Sequence, residues 1–330
     1  MIHTFTIKHQ INASEYGFFA AADHTQCYGS GRYTLKNSML EDMGIILYAR
    51  KYSVPGRSDY FCYEMFVNPC KVLGRNDVTQ IYTADMFQDF QNQFNNIILD
   101  FDVPLPELQY WKAYRVDFTR NLEVENVDLY IKLFQKSDLS GYKFPKDDNN
   151  NVVRFRPGSL YCKKNNHTIN FYNKYDELQH NNPYYGEEEL QQARNILRIE
   201  VQCRKTKLDS IKQRFNLPDK KIVHFLQRED IAADTVKYYV KKLLGTAPYY
   251  KKPTAVRRIQ TSNYKNITKT RMLQLLNDVS SQYSAVDRVK LQYQDFSALK
   301  KNFDRMGVNI VTINKNEPIS VSLAPIYDLL

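Results

Sequence analysis

Residues 197–204 read LRIEVQCR and alternate between apolar and polar side chains along their whole length. Because successive side chains of a β-strand point to opposite faces, this pattern predicts a strand with two different faces. The apolar face carries Leu197, Ile199, Val201 and Cys203. The polar face carries Arg198, Glu200, Gln202 and Arg204. We therefore expect a sheet that buries one face and presents charged side chains on the other.

Three further stretches divide in the same way. They are residues 60–67 (YFCYEMFV), 114–120 (YRVDFTR) and 168–174 (TINFYNK). Each has an apolar face, and each adds polar residues to the opposite face. If the four strands lie in one sheet, its polar face carries Glu64, Asp117, Tyr172, Lys174 and Glu200.

The remaining patterns predict an α+β fold with a central, mainly antiparallel sheet and helices on one face. Residues 2–9 predict another strand, and residues 83–98 and 125–136 have the spacing of amphipathic helices. After about residue 215 the pattern becomes helical, at 219–230, 231–244, 268–282 and 295–305. A basic, proline-containing link (247–258) lies between these helices, and residues 307–323 predict a short hairpin. We expect a domain at 1–215 and a smaller helical domain at 216–330, for which a winged-helix-like unit and a helical assembly domain both fit.

The positive charge is concentrated in the last third of the chain. The 330 residues have a formal net charge of +10, and residues 211–330 hold 21 Lys and Arg against 10 Asp and Glu. A basic region can neutralise phosphates and release counterions, which makes nucleic acid a natural partner. A solvated surface that only aids solubility explains the charge equally well.

Other classes of site have little support in the sequence. The five cysteines form no CxxC pair, so we expect reduced, packed thiols. No GxxxxGK[ST] phosphate loop is present, and no His-hydrophobic-His pair is present among the six histidines. Residues 1–18 alternate like a strand and lack the apolar run of a signal peptide, and no apolar run is long enough to span a membrane. These features predict a cytoplasmic protein.

The predicted polar face has the residues for phosphoryl transfer. Three carboxylates close together repel one another unless a divalent cation lies among them, and hard oxygen ligands suit Mg²⁺ or Mn²⁺. A tyrosine beside that cation can attack phosphorus, and Lys174 can assist it. Each residue alone is as typical of an ordinary solvent-facing strand position.

The same segments, in the same order, resemble those of rolling-circle initiators. Residues 61–77 (FCYEMFVNPCKVLGRND) resemble the strand and turn of the filamentous-phage gene II/X replication proteins. Residues 114–121 (YRVDFTRN), 158–178 (GSLYCKKNNHTINFYNKYDEL) and 197–205 (LRIEVQCRK) resemble three further segments of that group and of the plasmid Rep_trans initiators.

The resemblance implies a role for each matching residue. It implies Tyr172 as the nucleophile, Lys174 as its helper, and Glu64, Asp117 and Glu200 as ligands of Mg²⁺ or Mn²⁺. Arg115 and Arg198 would brace the acids or contact DNA, and Arg204 and Lys205 would contact DNA. Tyr161 is a rival nucleophile, and Tyr175 should face away from Tyr172 if the strand continues.

The resemblance also implies a function. The protein would nick one strand at a plasmid or phage double-strand origin, form a 5′-phosphotyrosyl intermediate, and leave a 3′-hydroxyl as primer. Host helicase and polymerase would be partners, and a homodimer is compatible with this plan. The alternatives are a relaxase that mobilises an integrative element, a non-catalytic origin-binding regulator, and a metal nuclease that activates water.

Overall fold

The computed structural model describes residues 1–22, 25–27, 31–35, 37–53, 55–56, 58–75, 78–101, 103–181, 185–281, 284–319 and 321–330. The strands are β1 (Ile2–Ile11), β2 (Thr25–Cys27), β3 (Arg32–Leu35), β4 (Ile45–Tyr52), β5 (Tyr60–Val67), β6 (Lys112–Glu123), β7 (Ser159–Lys163), β8 (His167–Asn173), β9 (Ile196–Arg204), β10 (Tyr249–Tyr250) and β11 (Ser322–Leu323). The first seven helices are α1 (Ala13–Ala21), α2 (Ser38–Asp42), α3 (Pro69–Val72), α4 (Phe87–Leu99), α5 (Val127–Gln135), α6 (Lys174–Asn181) and α7 (Glu187–Ala193). The others are α8 (Lys205–Arg214), α9 (Ile222–Leu226), α10 (Glu229–Leu244), α11 (Lys252–Gln260), α12 (Asn266–Ser280), α13 (Val286–Val289) and α14 (Phe296–Arg305).

Nine of these strands form one sheet in the order β2-β3-β4-β5-β1-β6-β9-β8-β7. The pairings of β1 with β5 and β6, and those that join β2 to β5, are antiparallel. The predicted α+β class with a mainly antiparallel sheet is confirmed. The predicted strand at 197–204 forms β9, and the other four predicted strands form β1, β5, β6 and β8.

Three local predictions were wrong. Strand β8 ends at Asn173, because the Asn173 side chain accepts a hydrogen bond from the Tyr175 amide (3.1 Å) and α6 begins at Lys174. The predicted link at 247–258 contains α11, whose proline lies in the first turn, where a missing N–H costs nothing. Instead of a hairpin within 307–323, β11 pairs with β10 in a separate sheet.

The described chain divides into two compact units. Unit 1 contains Met1–Arg120, Asn165–Thr168 and Glu200–Thr235, and unit 2 contains Asn121–Lys164, Ile169–Ile199 and Val236–Leu330. Strands β6, β8 and β9 contribute residues to both units, so the units interleave along the sequence. The functional division at residue 215 stays a prediction.

Unit 1 packs its helices on the apolar face of its strands. The Phe5 ring on β1 meets Phe90 of α4 edge-on, with ring centroids 6.0 Å apart, and Tyr63 on β5 lies 5.7 Å from Phe19 of α1. These residues are buried, and burial of large aromatic side chains supplies much of the stability of such a core. The opposite face of the same strands is left for polar side chains.

Unit 2 has its own core around α5. The Phe134 ring lies 5.1 Å from Phe171 of β8 and 6.5 Å from Tyr249 of β10. Arg154 is buried beside this core, where it donates to the Gln135 and Ser137 carbonyls and to both oxygens of Asp287 (2.7 Å each). Among the described residues, no helix has the length and apolarity needed to cross a membrane.

Candidate functional site

A β-bulge on β1 assembles a group of polar side chains around Asp117. The β1–β6 register pairs Ile2 with Phe118 and Phe5 with Val116, so His3 and Thr4 together lie opposite Asp117. Two residues opposite one is the definition of a bulge, and bulges redirect side chains that regular alternation would point apart. As a result, His3 and Thr4 both contact carboxylates.

Two residues, Thr4 and Arg115, hold Asp117 through three hydrogen bonds. Its side chain is 1% exposed and accepts hydrogen bonds from the Thr4 hydroxyl (2.6 Å) and from Arg115 Nε (2.8 Å), while a second Arg115 N–H reaches its other oxygen. Burial raises the pKa of Asp117, hydrogen bonds from Arg115 and Thr4 oppose that shift, and repulsion from Glu200 adds to it. Arg115 therefore braces Asp117.

Glu200 lies on β9, the neighbour of β6 in the sheet. It is 5% exposed, and its Oε1 lies 3.0 Å from His3 Nδ1. Asp117 and Glu200 therefore lie on neighbouring strands, and repulsion from Glu200 adds to the rise in the pKa of Asp117. His3 and Thr4 are partners that alternation alone could not identify, because the bulge is visible only in the strand pairing.

Glu64 lies in another part of the face. Its oxygens are 2.8 Å from Lys8 Nζ and 3.0 Å from an Arg50 nitrogen. Glu64 pairs across the sheet with Lys8, four residues along β1 from Thr4, which corresponds to about 13 Å. Ligands of one cation lie within a few ångströms of each other, so the structure does not bring Glu64 to Asp117 and Glu200.

The described residues contain no group of three or more His, Cys, Asp and Glu side chains arranged to hold a metal ion. The three-carboxylate set therefore does not fit a cation as a unit. The pair Asp117 and Glu200 fits in its chemistry, because carboxylate oxygens are the hard donors that Mg²⁺ and Mn²⁺ prefer. His24, one of the six histidines, lies outside the described residues.

In unit 2, Tyr172 is the next-to-last residue of β8 and its side chain is partly exposed. Because the strand ends at Asn173, strand alternation does not place Lys174 on the same face as Tyr172. Lys174 is instead the first residue of α6, where it is 5% exposed and donates to Glu177 (2.6 Å).

The two rival tyrosines, Tyr161 and Tyr175, lie on different elements of unit 2. Tyr161 lies on β7 and is partly exposed. Tyr175 lies on α6, and its hydroxyl accepts a hydrogen bond from Gln179 (2.9 Å). The expected orientation of Tyr175 assumed a continued strand, and the structure has a helix at this position instead.

The predicted DNA-contacting residues differ in exposure. Arg198 is fully buried and donates to Asn121 (2.8 Å), a position suited to bracing the strand rather than to touching DNA. Arg204 ends β9 beside Asn165 and Asn166, and Lys205 begins α8 as an exposed side chain.

Unit 2 contains a basic cleft that no sequence motif indicated. Its volume is about 760 Å³, and four lysines line it: Lys132, Lys136, Lys252 and Lys315. Burial lowers the pKa of Lys136, which also donates to the Ser281 carbonyl (3.0 Å). Lys132 and Lys136 lie four residues apart at the end of α5, and Lys252 and Lys315 come from distant parts of the chain, so only the fold gathers the three segments.

A family model for the N-terminal region of the phage gene II replication-associated protein matches residues 7–227, about two-thirds of the chain. The match includes Glu64, Asp117, Tyr172, Lys174 and Glu200. No curated protein and no solved structure matches the chain significantly. The expected resemblance to the phage gene II proteins is confirmed, and the chain belongs to this replication-associated protein family as a rolling-circle replication initiator that binds origin DNA.

Proposed function

We propose that this initiator nicks one strand of its origin by transesterification, with the Tyr172 hydroxyl as the nucleophile. The tyrosine oxygen loses its proton, attacks the scissile phosphorus and forms an ester with the 5′-phosphate. The bond from phosphorus to the 3′-oxygen breaks, and that oxygen takes a proton to become a 3′-hydroxyl. One phosphoester replaces another, so no nucleotide hydrolysis is required.

The observation that carries this proposal is the position of Tyr172 inside the family match. Its partly exposed side chain is followed within two residues by a buried ammonium group, that of Lys174. A fixed cation stabilises negative charge more strongly in a buried site than in water. Glu177 holds Lys174 in one orientation and balances its charge before DNA arrives.

The proposal assigns Asp117 and Glu200 to a divalent cation, Mg²⁺ or Mn²⁺. When bound, such a cation supplies positive charge to the non-bridging oxygens of a phosphate. Arg115 orients Asp117 and favours its ionised form against the effect of burial, and His3 orients Glu200. Glu64 has a different role in this scheme, because it is already neutralised by Lys8 and Arg50.

The later steps follow from the products. The 3′-hydroxyl would prime a host polymerase, a host helicase would open the duplex, and a second transesterification would close the displaced circle. A homodimer would supply a second tyrosine for that step. A relaxase would use the same nicking chemistry to transfer a strand of an integrative element.

The test is a nicking assay on supercoiled origin DNA with Mn²⁺ or Mg²⁺. We expect relaxed circles with protein covalently attached to the 5′-end of the cut strand, and no cutting when the cation is chelated. Nicked circles with a free 5′-phosphate would point to an activated water. Binding without any cutting would point to a non-catalytic origin-binding regulator.

A further inference from the structure

The polar face of unit 1 carries a cluster of tyrosines and cations away from Asp117. Tyr52 on β4 pairs with Tyr60 on β5, and Tyr114 on β6 approaches from the other side of β1. We call Tyr52, Tyr60 and Tyr114, with Lys8 between them, the tyrosine row.

Lys8 fixes the arrangement of the row. Its ammonium nitrogen donates to the Tyr52 hydroxyl (2.7 Å) and lies 3.7 Å from the Tyr114 ring centroid. The Tyr52 and Tyr60 rings have centroids 6.0 Å apart. Burial lowers the pKa of Lys8, but hydrogen bonds to Glu64 and Tyr52 outweigh it and raise that pKa overall, so Lys8 stays charged.

Two rings of the row remain open to solvent. Tyr60 is 40% exposed and Tyr114 is 38% exposed, although both belong to the sheet. Tyr114 is the residue that the register skips between Arg115 opposite Thr6 and Ala113 opposite Ile7, so a second bulge turns its ring outward. Rings held in place in the free protein lose little conformational entropy when they bind a ligand.

The charge around the row favours a polyanion. Arg32 lies 4.1 Å from the Tyr48 ring centroid, Arg50 reaches Glu64, and Lys112 is exposed on the strand position opposite Lys8. A ligand that stacks on aromatic rings and also carries negative charge matches this surface. Single-stranded nucleic acid has both properties, whereas a duplex keeps its base faces stacked inside.

We propose that the tyrosine row binds single-stranded DNA, with bases stacked on Tyr60 and Tyr114 and backbone phosphates beside Lys112 and Arg50. The inference rests on the proposed nicking function for the source of the single strand, but not on the chemistry of cleavage. The row lies about 13 Å along β1 from Asp117. It would therefore hold unpaired DNA close to the acids.

The test measures binding of labelled oligothymidylate of about 12 nucleotides to the full chain in chelator, where cleavage plays no part. We expect each of Tyr60→Ala and Tyr114→Ala to weaken binding about fivefold or more, and the double variant to weaken it further. Tyr60→Phe and Tyr114→Phe keep the stacking ring and should bind like wild type. Tyr238→Ala, at a 42% exposed tyrosine of unit 2, is the matched control and should also bind like wild type.

Unchanged binding by the double alanine variant, in protein that melts like wild type, would overturn the inference. So would an equal loss of affinity for origin duplex and for oligothymidylate, because stacking acts only on unpaired bases. A nicking failure of wild-type protein leaves this measurement intact, so the two proposals fail separately.

Discussion

The Thr4 hydroxyl donates a 2.6 Å hydrogen bond to Asp117, from a bulge that also directs His3 to Glu200. This one irregularity in β1 links the N-terminal strand to both acids assigned to the cation. Regular pairing would have pointed either His3 or Thr4 to the opposite face of the sheet.

Substitution of the acid pair should separate cleavage from DNA binding. We expect Asp117→Asn and Glu200→Gln to slow nicking by about 100-fold or more, because each removes a charged oxygen donor. Origin affinity should change little. Glu64→Gln is the control and should leave the Mn²⁺ concentration for half-maximal nicking unchanged. If Glu64→Gln raised the Mn²⁺ concentration for half-maximal nicking as much as Glu200→Gln does, Glu64 would have to be counted among the ligands of the cation.

The lysine-lined cleft of unit 2 should contribute to the salt dependence of origin binding. Each phosphate contact contributes about 0.9 to the slope of log affinity against log salt concentration. We expect Lys132→Gln, Lys252→Gln and Lys315→Gln, combined, to reduce that slope by about 2 to 3. Lys205→Gln removes a single exposed lysine of unit 1 and shows how much one isolated charge contributes to that slope. An unchanged slope in the triple variant would remove the cleft from the DNA interface.

Arg154 should be a stability residue of unit 2. Removing one partner of a buried ion pair leaves an unpaired charge and costs about 3 to 5 kcal/mol. We expect Arg154→Met to lower the urea midpoint clearly, since Asp287 and two carbonyls lose their donor. Arg214→Met breaks the exposed Arg214–Asp234 pair and should change the midpoint little. If Arg154→Met and Arg214→Met had the same urea midpoint, Arg154 would not be a stability residue of unit 2.

Thiol labelling should distinguish one cysteine from the other four. Cys27 is exposed, and the remaining four are buried. Burial raises the pKa of Cys62 to about 11 and that of Cys162 to about 12, so these thiols stay protonated and unreactive at neutral pH. We expect a neutral thiol reagent to label one cysteine in native protein and five in urea. Rapid labelling of more than one cysteine in the native protein would show that the reagent reaches thiols that the structure buries.

Alternation was sufficient to predict the strands that carry the acids and Tyr172, because each strand has apolar side chains on one face and polar side chains on the other. It did not show that the polar side chains Asp117, Arg198 and Glu200 are themselves buried. It failed where local geometry interrupts the period. The Asn173 cap ends β8 one residue before Lys174, and the bulges at His3–Thr4 and Tyr114 change the facing of their side chains. The sequence also could not show which of the polar residues lie close to one another in the sheet. Three acids on one face looked alike in sequence, yet register places Glu64 about 13 Å along β1 from Asp117.

The helical C-terminal region was predicted in outline but not in its contacts. Periodicity found the regions of α10, α12 and α14, whose apolar positions are regularly spaced. It could not show that β10 pairs with β11, more than seventy residues later, or that Lys132 and Lys315 line one cleft. Such long-range pairings depend on the packed structure.

In the proposed mechanism Tyr172 forms the covalent bond to DNA, and peptide mapping tests this directly. Trypsin separates the three rival tyrosines, because residues 165–174 (NNHTINFYNK) contain Tyr172 as their only tyrosine. After nicking and nuclease digestion, mass spectrometry should find the nucleotide on that peptide, and Tyr172→Phe should abolish it while Tyr161→Phe retains it. A nucleotide on the peptide that contains Tyr161 or Tyr175, or full attachment in Tyr172→Phe, would contradict the account.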